Sequence, residues 1–169
     1  RASFQKRDQA WTDDFVAIFL DTYGDANTGT MIGANPYGIQ MDAKNNGGGN
    51  DDPTFDLVYE SQGKITDEGY QVEMAIPFSS LSFPDKEVQE WKVGFYRSLP
   101  REKRSQIVWG GFDRTNPCFL CQMGTLKGIQ GITQRGNFEF LPAIVGSQIS
   151  ELDQNNTLQK GTALGQASL

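Results

Sequence analysis

Histidine is absent from all 169 residues. That removes Ser-His-Asp and Cys-His catalysis, and zinc or haem held by histidine, from what the chain can build with its own side chains. Cysteine is scarce, with two in the whole sequence, so a closed tetrahedral zinc site would need carboxylates to complete it. No apolar run approaches the roughly 18 residues of a membrane helix. No signal peptide is present, and the chain opens on Arg1, so it reads as a mature or excised piece of something longer. Positive charge is also short, with 15 Lys and Arg against 21 Asp and Glu, a formal charge of −6. A chain of that sign is repelled by phosphate backbones and anionic membranes, so nucleic acid is not an expected partner.

What remains is turn-rich and moderately apolar: 19 Gly and 37% hydrophobic residues. The length suits one domain with a real core. The clearest strand spans residues 69–76, where Tyr70, Val72, Met74 and Ile76 alternate with polar or small neighbours. Pro77 ends it, because proline has no N–H to donate. Residues 78–81 then fit one helical turn that tucks Phe78 and Leu81 under the sheet.

Residues 15–20 form an apolar run of six, the pattern of a central strand buried on both faces. Residues 21–29 are a turn by composition, and residues 30–34 and 39–43 read as short return strands. Residues 44–53 look like a solvent loop. A strand over 55–66 turns through Asp67-Glu68-Gly69 into the 69–76 strand, which predicts an antiparallel hairpin. Trp91, Val93 and Phe95 alternate as the apolar face of a further strand, and residues 97–104 read as a basic turn. Strands are also expected at 106–110, 123–129 and 138–149. About eight short strands, no long helix and no internal repeat predict an all-β, antiparallel β-sandwich.

Several segments in order carry a family resemblance: residues 13–25, 35–42, 65–70 and 73–81. Gly124-Thr125-Leu126-Lys127-Gly128-Ile129 and Phe138-Glu139-Phe140-Leu141-Pro142 continue it. Together they resemble the N-terminal domain of a family of bacterial outer-membrane proteins, in which a sandwich similar to family-nine carbohydrate-binding modules precedes a C-terminal β-barrel. The resemblance implies a jelly-roll-like sandwich over residues 1–145 and a polar tail over 146–169 leading toward a barrel or linker. It implies a periplasmic or outer-membrane location. That family's domain begins several strands earlier, so the sandwich is expected to be incomplete at its N-terminus unless another chain completes it.

Within that frame the sequence offers several candidate sites. Sugar-binding modules stack pyranose rings on exposed aromatics, and Trp109, Tyr37 and Trp11 are the available platforms, whereas Trp91 alternates as a core residue. Trp109, beside Gly110 and Gly111, is the leading one. Arg97 and Arg101, with Lys103 and Arg104, are suited to a carboxylate or phosphate, or else to solvent and nearby acids. Asp21 and Asp25 invite calcium, which sandwich modules of the similar group often carry, although turn chemistry explains both without a metal. Cys118 and Cys121 form a Cys-x-x-Cys; zinc lacks ligands, a redox dithiol normally opens a helix, and an oxidising periplasm favours a structural disulfide. Glu60, Glu73 and Asp67 are the carboxylates nearest the strands, but nothing in the sequence pairs them across a cleft. The expected function is therefore non-catalytic binding of an oligosaccharide or another small ligand. A structural domain that docks or gates the barrel is the alternative, and a glycoside hydrolase the third reading.

Overall fold

The computed structural model describes residues 2–47, 50–134, 143–150, 155 and 162–168. The chain divides into two compact units, residues 1–135 and 136–169. In the first, β1 (Phe15–Asp21) is the hub, flanked on both sides as its unbroken apolar run requires. One neighbour is β2 (Thr28–Ala34), followed outward by β3 (Gln40–Asn46) and β4 (Asn50–Asp52). The other is the long β7 (Val88–Pro100). Its first half pairs with β9 (Gly124–Gln130) and its second half with β8 (Arg104–Val108), all antiparallel. A separate hairpin, β5 (Glu60–Thr66) with β6 (Gly69–Ala75), makes the second sheet, with Thr66 opposite Gly69. The all-β antiparallel sandwich is borne out. Among the described residues the helical content is limited to two single turns, Phe78–Ser80 and Leu120–Gln122.

The large sheet is covered on both faces. Leu20, Ile32, Trp91 and Val93 on one face pack against Leu57, Tyr59, Leu81 and Phe83, with Met74 and Ile76 leaning in from the hairpin side. On the opposite face, Phe15, Phe19, Met31 and Met41 pack with Ala10 and Trp11 from the N-terminal segment and with Phe119 and Met123. Two hydroxyls pin the hairpin side: Tyr59 donates to the Gly33 carbonyl at 2.8 Å, and Ser61 to the Gly38 carbonyl at 2.7 Å. The second unit contains the antiparallel pair β10 (Ala143–Ile149) and β11 (Thr162–Ser168).

Five expectations need correction. Lys44, Asn45 and Asn46 belong to β3 and pair with Asp52, Asp51 and Asn50, so much of the expected solvent loop is a polar hairpin. Its ladder is made by the backbone, which polar side chains do not prevent. The strand expected from residue 55 starts at Glu60, although Leu57 and Tyr59 before it are buried. Arg97 lies within β7 and not in a turn, which is confined to residues 101–103. Phe78 stays 44% exposed and only Leu81 is buried, while Phe95, expected on a buried face, is 51% exposed. The strand expected over 138–149 is described only for its part from Ala143; residues 138–142 lie outside the described residues.

Candidate functional site

The two faces of the large sheet each carry a groove. The first, of about 570 Å³, lies on the hairpin side. β1 contributes Val16 and Ile18, β6 contributes Val72 and Met74, and Phe95, Ile107 and Trp109 close it along β7 and β8. Trp109 is 59% exposed and meets Phe95 edge-on at 5.8 Å. Its ring lies over Gly124, where a Cβ would come within 2.7 Å of the indole. Arg97 is the one charged side chain lining this groove, and it is engaged elsewhere. Its Nε and Nη2 donate to the two oxygens of buried Asp14 at 3.1 and 3.0 Å. The Tyr70 hydroxyl donates to the same carboxylate at 2.7 Å, and the guanidinium sits 5.1 Å from the Tyr70 ring centroid. Burial alone would raise the Asp14 carboxyl, but the bonds from Arg97 and Tyr70 outweigh it and hold it below the ordinary carboxylate range.

The second groove, of about 450 Å³, crosses the opposite face from β4 to β8. Its walls are aromatic: Trp11, Phe15, Tyr96, Phe112 and Phe119. Phe119 is brought there by the Cys118–Cys121 disulfide, which closes a loop of sequence separation 3 around it. Its ring then meets Phe19 at 4.9 Å and Phe112 at 5.4 Å. Polar side chains stand among these rings: Asn45 on β3, Asp51 on β4, and Arg104 and Gln106 on β8. Arg104 Nη1 donates to the Trp11 carbonyl at 2.8 Å, which ties the N-terminal segment to the groove rim. Rings that present flat apolar faces beside hydrogen-bonding groups can hold an amphipathic, hydroxyl-bearing ligand.

The residues singled out in the sequence are thus distributed. Trp109 and Arg97 line the first groove and Trp11 the second. Tyr37 lines neither, and stacks on exposed Phe4 at 4.1 Å. Arg101 is exposed in the turn after β7. Asp21 is fully buried and accepts the backbone N–H groups of Tyr23, Gly24 and Ala26 at 2.7–3.1 Å, while Asp25 accepts from Asn27. Both aspartates therefore serve as turn caps. Glu60 and Glu73 are exposed along the hairpin. Sequence reasoning missed Asn45, Tyr96, Phe112 and Phe119, which come together with Asp51 only when the sheet curls.

It also missed the three carboxylates of Asp8, Asp42 and Asp56, whose oxygens lie within 4.8 Å of one another. A cation already sits among them, because Arg7 pairs with all three and donates to the Leu57 carbonyl.

A two-layered antiparallel domain with an aromatic, polar-studded groove on one sheet is a ligand-binding sandwich in form. Residues 3–105 match the sequence model of the carbohydrate family 9 binding domain-like family, and the chain belongs to that family. Among curated proteins and among solved structures, none matches the chain.

Proposed function

We propose that this domain binds an oligosaccharide without transforming it, in the groove crossing β4 to β8. The observation that carries the reading is the mixture within that groove: aromatic walls from Trp11, Tyr96, Phe112 and Phe119 interleaved with Asn45, Asp51, Arg104 and Gln106. Family membership supports the same ligand class. Non-catalytic binding accords with the absence of histidine and with the open hairpin placement of Glu60 and Glu73. A periplasmic or outer-membrane setting, with the domain joined to a barrel, accords with the closed disulfide, which persists in oxidising compartments. Calorimetric titration against neutral oligosaccharides tests the reading. Saturable binding is expected, falling about a hundredfold in Trp11→Ala, as for a buried aromatic anchor. A folded domain that binds none of them refutes it.

A second reading is favoured by the first groove. Phe95, Ile107 and Trp109 are each more than half exposed there, and within the described ladders β6 pairs only with β5. An open strand edge beside an apolar groove suits a docked strand from the barrel or from another chain that completes the sandwich. On this reading the domain is a structural module. Hydrogen exchange separates the two: the outer-edge amides of β6 exchange quickly in this chain and slowly in the longer parent protein if a strand docks there.

A further inference from the structure

The β3–β4 end of the second groove carries a directional hydrogen-bonding signal. Asn45 is 3% exposed, and its Nδ2 donates to Asp51 Oδ1 at 2.6 Å. That bond sets which way the amide faces, because a carboxylate accepts and cannot receive another acceptor. Asn45 Oδ1 therefore turns away from Asp51, and it is buried without a hydrogen-bond partner among the described residues. A buried acceptor left unmet is destabilising, so a ligand that supplies an O–H there gains more than the same bond made at the surface. Asp51, exposed beside it, adds a carboxylate, which accepts and does not donate.

We propose that Asn45 and Asp51 form an acceptor-rich subsite that takes adjacent hydroxyl donors of a neutral sugar and discriminates against uronate and sulfated sugars. The proposal rests on the carbohydrate reading of this groove and names the ligand class within it. An anionic substituent placed here faces one unmet acceptor and one negative charge, against at most the second N–H of the Asn45 amide. Arg104, the groove's cation, stands on β8 at the other edge of the sheet and is tied to the Trp11 carbonyl. Binding at this end requires the covered Asn45 oxygen to turn toward the open groove.

The test is a titration of the whole chain with cellohexaose, xylohexaose, mannohexaose and hexagalacturonate, for the wild type, Asn45→Leu, Asp51→Asn and Trp11→Ala, each first shown to be folded. At least one neutral hexamer binds the wild type, and the uronate binds at least about tenfold more weakly. Asn45→Leu, which keeps the side-chain volume and removes the acceptor, weakens neutral binding roughly tenfold. Asp51→Asn, which introduces a donor, narrows the gap between neutral and uronate ligands, and it carries the test alone if Asn45→Leu fails to fold. A uronate bound as tightly as the neutral sugars, or a gap unchanged in the substituted chains, overturns the subsite. Loss of binding in Trp11→Ala would in those cases still uphold the carbohydrate reading. A folded wild type that binds no hexamer overturns both.

Discussion

The two grooves lie on opposite faces of one sheet and differ in what they can recognise. The larger, at about 570 Å³, is closed by aliphatic residues and two aromatic rings, and its one charged group is already paired with Asp14. The smaller, at about 450 Å³, places six rings among four polar side chains. Volume thus points one way and chemistry the other. A polar ligand needs partners for every hydroxyl it desolvates, and only the smaller groove offers them. Trp109 is the most exposed of the tryptophans, yet exposure without neighbouring hydrogen-bonding groups marks a surface for apolar contact.

The contrast can be broken most forcefully within the first face. Trp91 and Trp109 stand on the same side of the sheet, the former 2% exposed beneath the hairpin segment and the latter 59% exposed beyond it. Trp91→Ala is expected to cost about 3–5 kcal/mol in urea denaturation, and Trp109→Ala under about 1 kcal/mol, because only the first leaves a cavity. Equal losses would mean that the groove beside Trp109 is packed in solution.

A smaller effect sharpens the same contrast electrostatically. Arg97→Ala leaves the buried Asp14 carboxylate with Tyr70 alone and should cost about 1–2 kcal/mol, less than a fully buried pair because Arg97 is 41% exposed. The pH dependence follows in sign. Folded Asp14 binds its proton less readily than in the unfolded chain, so its stabilisation is complete above about pH 4 and is lost as pH falls through its lowered folded value. Urea midpoints from pH 6 down to pH 2.5 should therefore decline less in Asp14→Asn than in the wild type.

A modest stability effect belongs to the disulfide, since closing so short a loop removes at most about 2 kcal/mol of unfolded-chain entropy. Replacing Cys118 and Cys121 with serine should lower the urea midpoint slightly. It should weaken sugar binding by more than that loss implies, because Phe119 would no longer be held in the groove wall. Unchanged affinity would show that the wall stands without its staple.

Much of this architecture was legible in the sequence. Six consecutive apolar residues marked β1 as central, and the alternation from Tyr70 to Met74 marked a strand with one face turned inward. The Asp21 turn was legible too, since aspartate caps its own loop through nearby backbone. Alternation, however, tells which residues share a face and not whether anything covers it. Phe95 therefore shares its face with Trp91 and Val93, yet lies where the hairpin does not reach. The Asp14–Arg97 pair joins residues 83 apart, and the second groove gathers side chains from positions 11 to 119. Only the closed ladder of strands sets those distances. Asn45 was hidden for another reason: its neighbours read as loop, whereas backbone pairing made them strand.

One contact under the disulfide loop has a consequence for descent. Leu120 is fully buried with its methyl groups against Gly29, so close that a Cβ there would lie 2.8 Å from Cδ2. The two positions are 91 residues apart in the chain but share one small space. A lineage that enlarges residue 29 must shrink residue 120 or lift the loop that carries Phe119, so neither site drifts independently. The order of mutations then matters: the reduction at 120 has to come first.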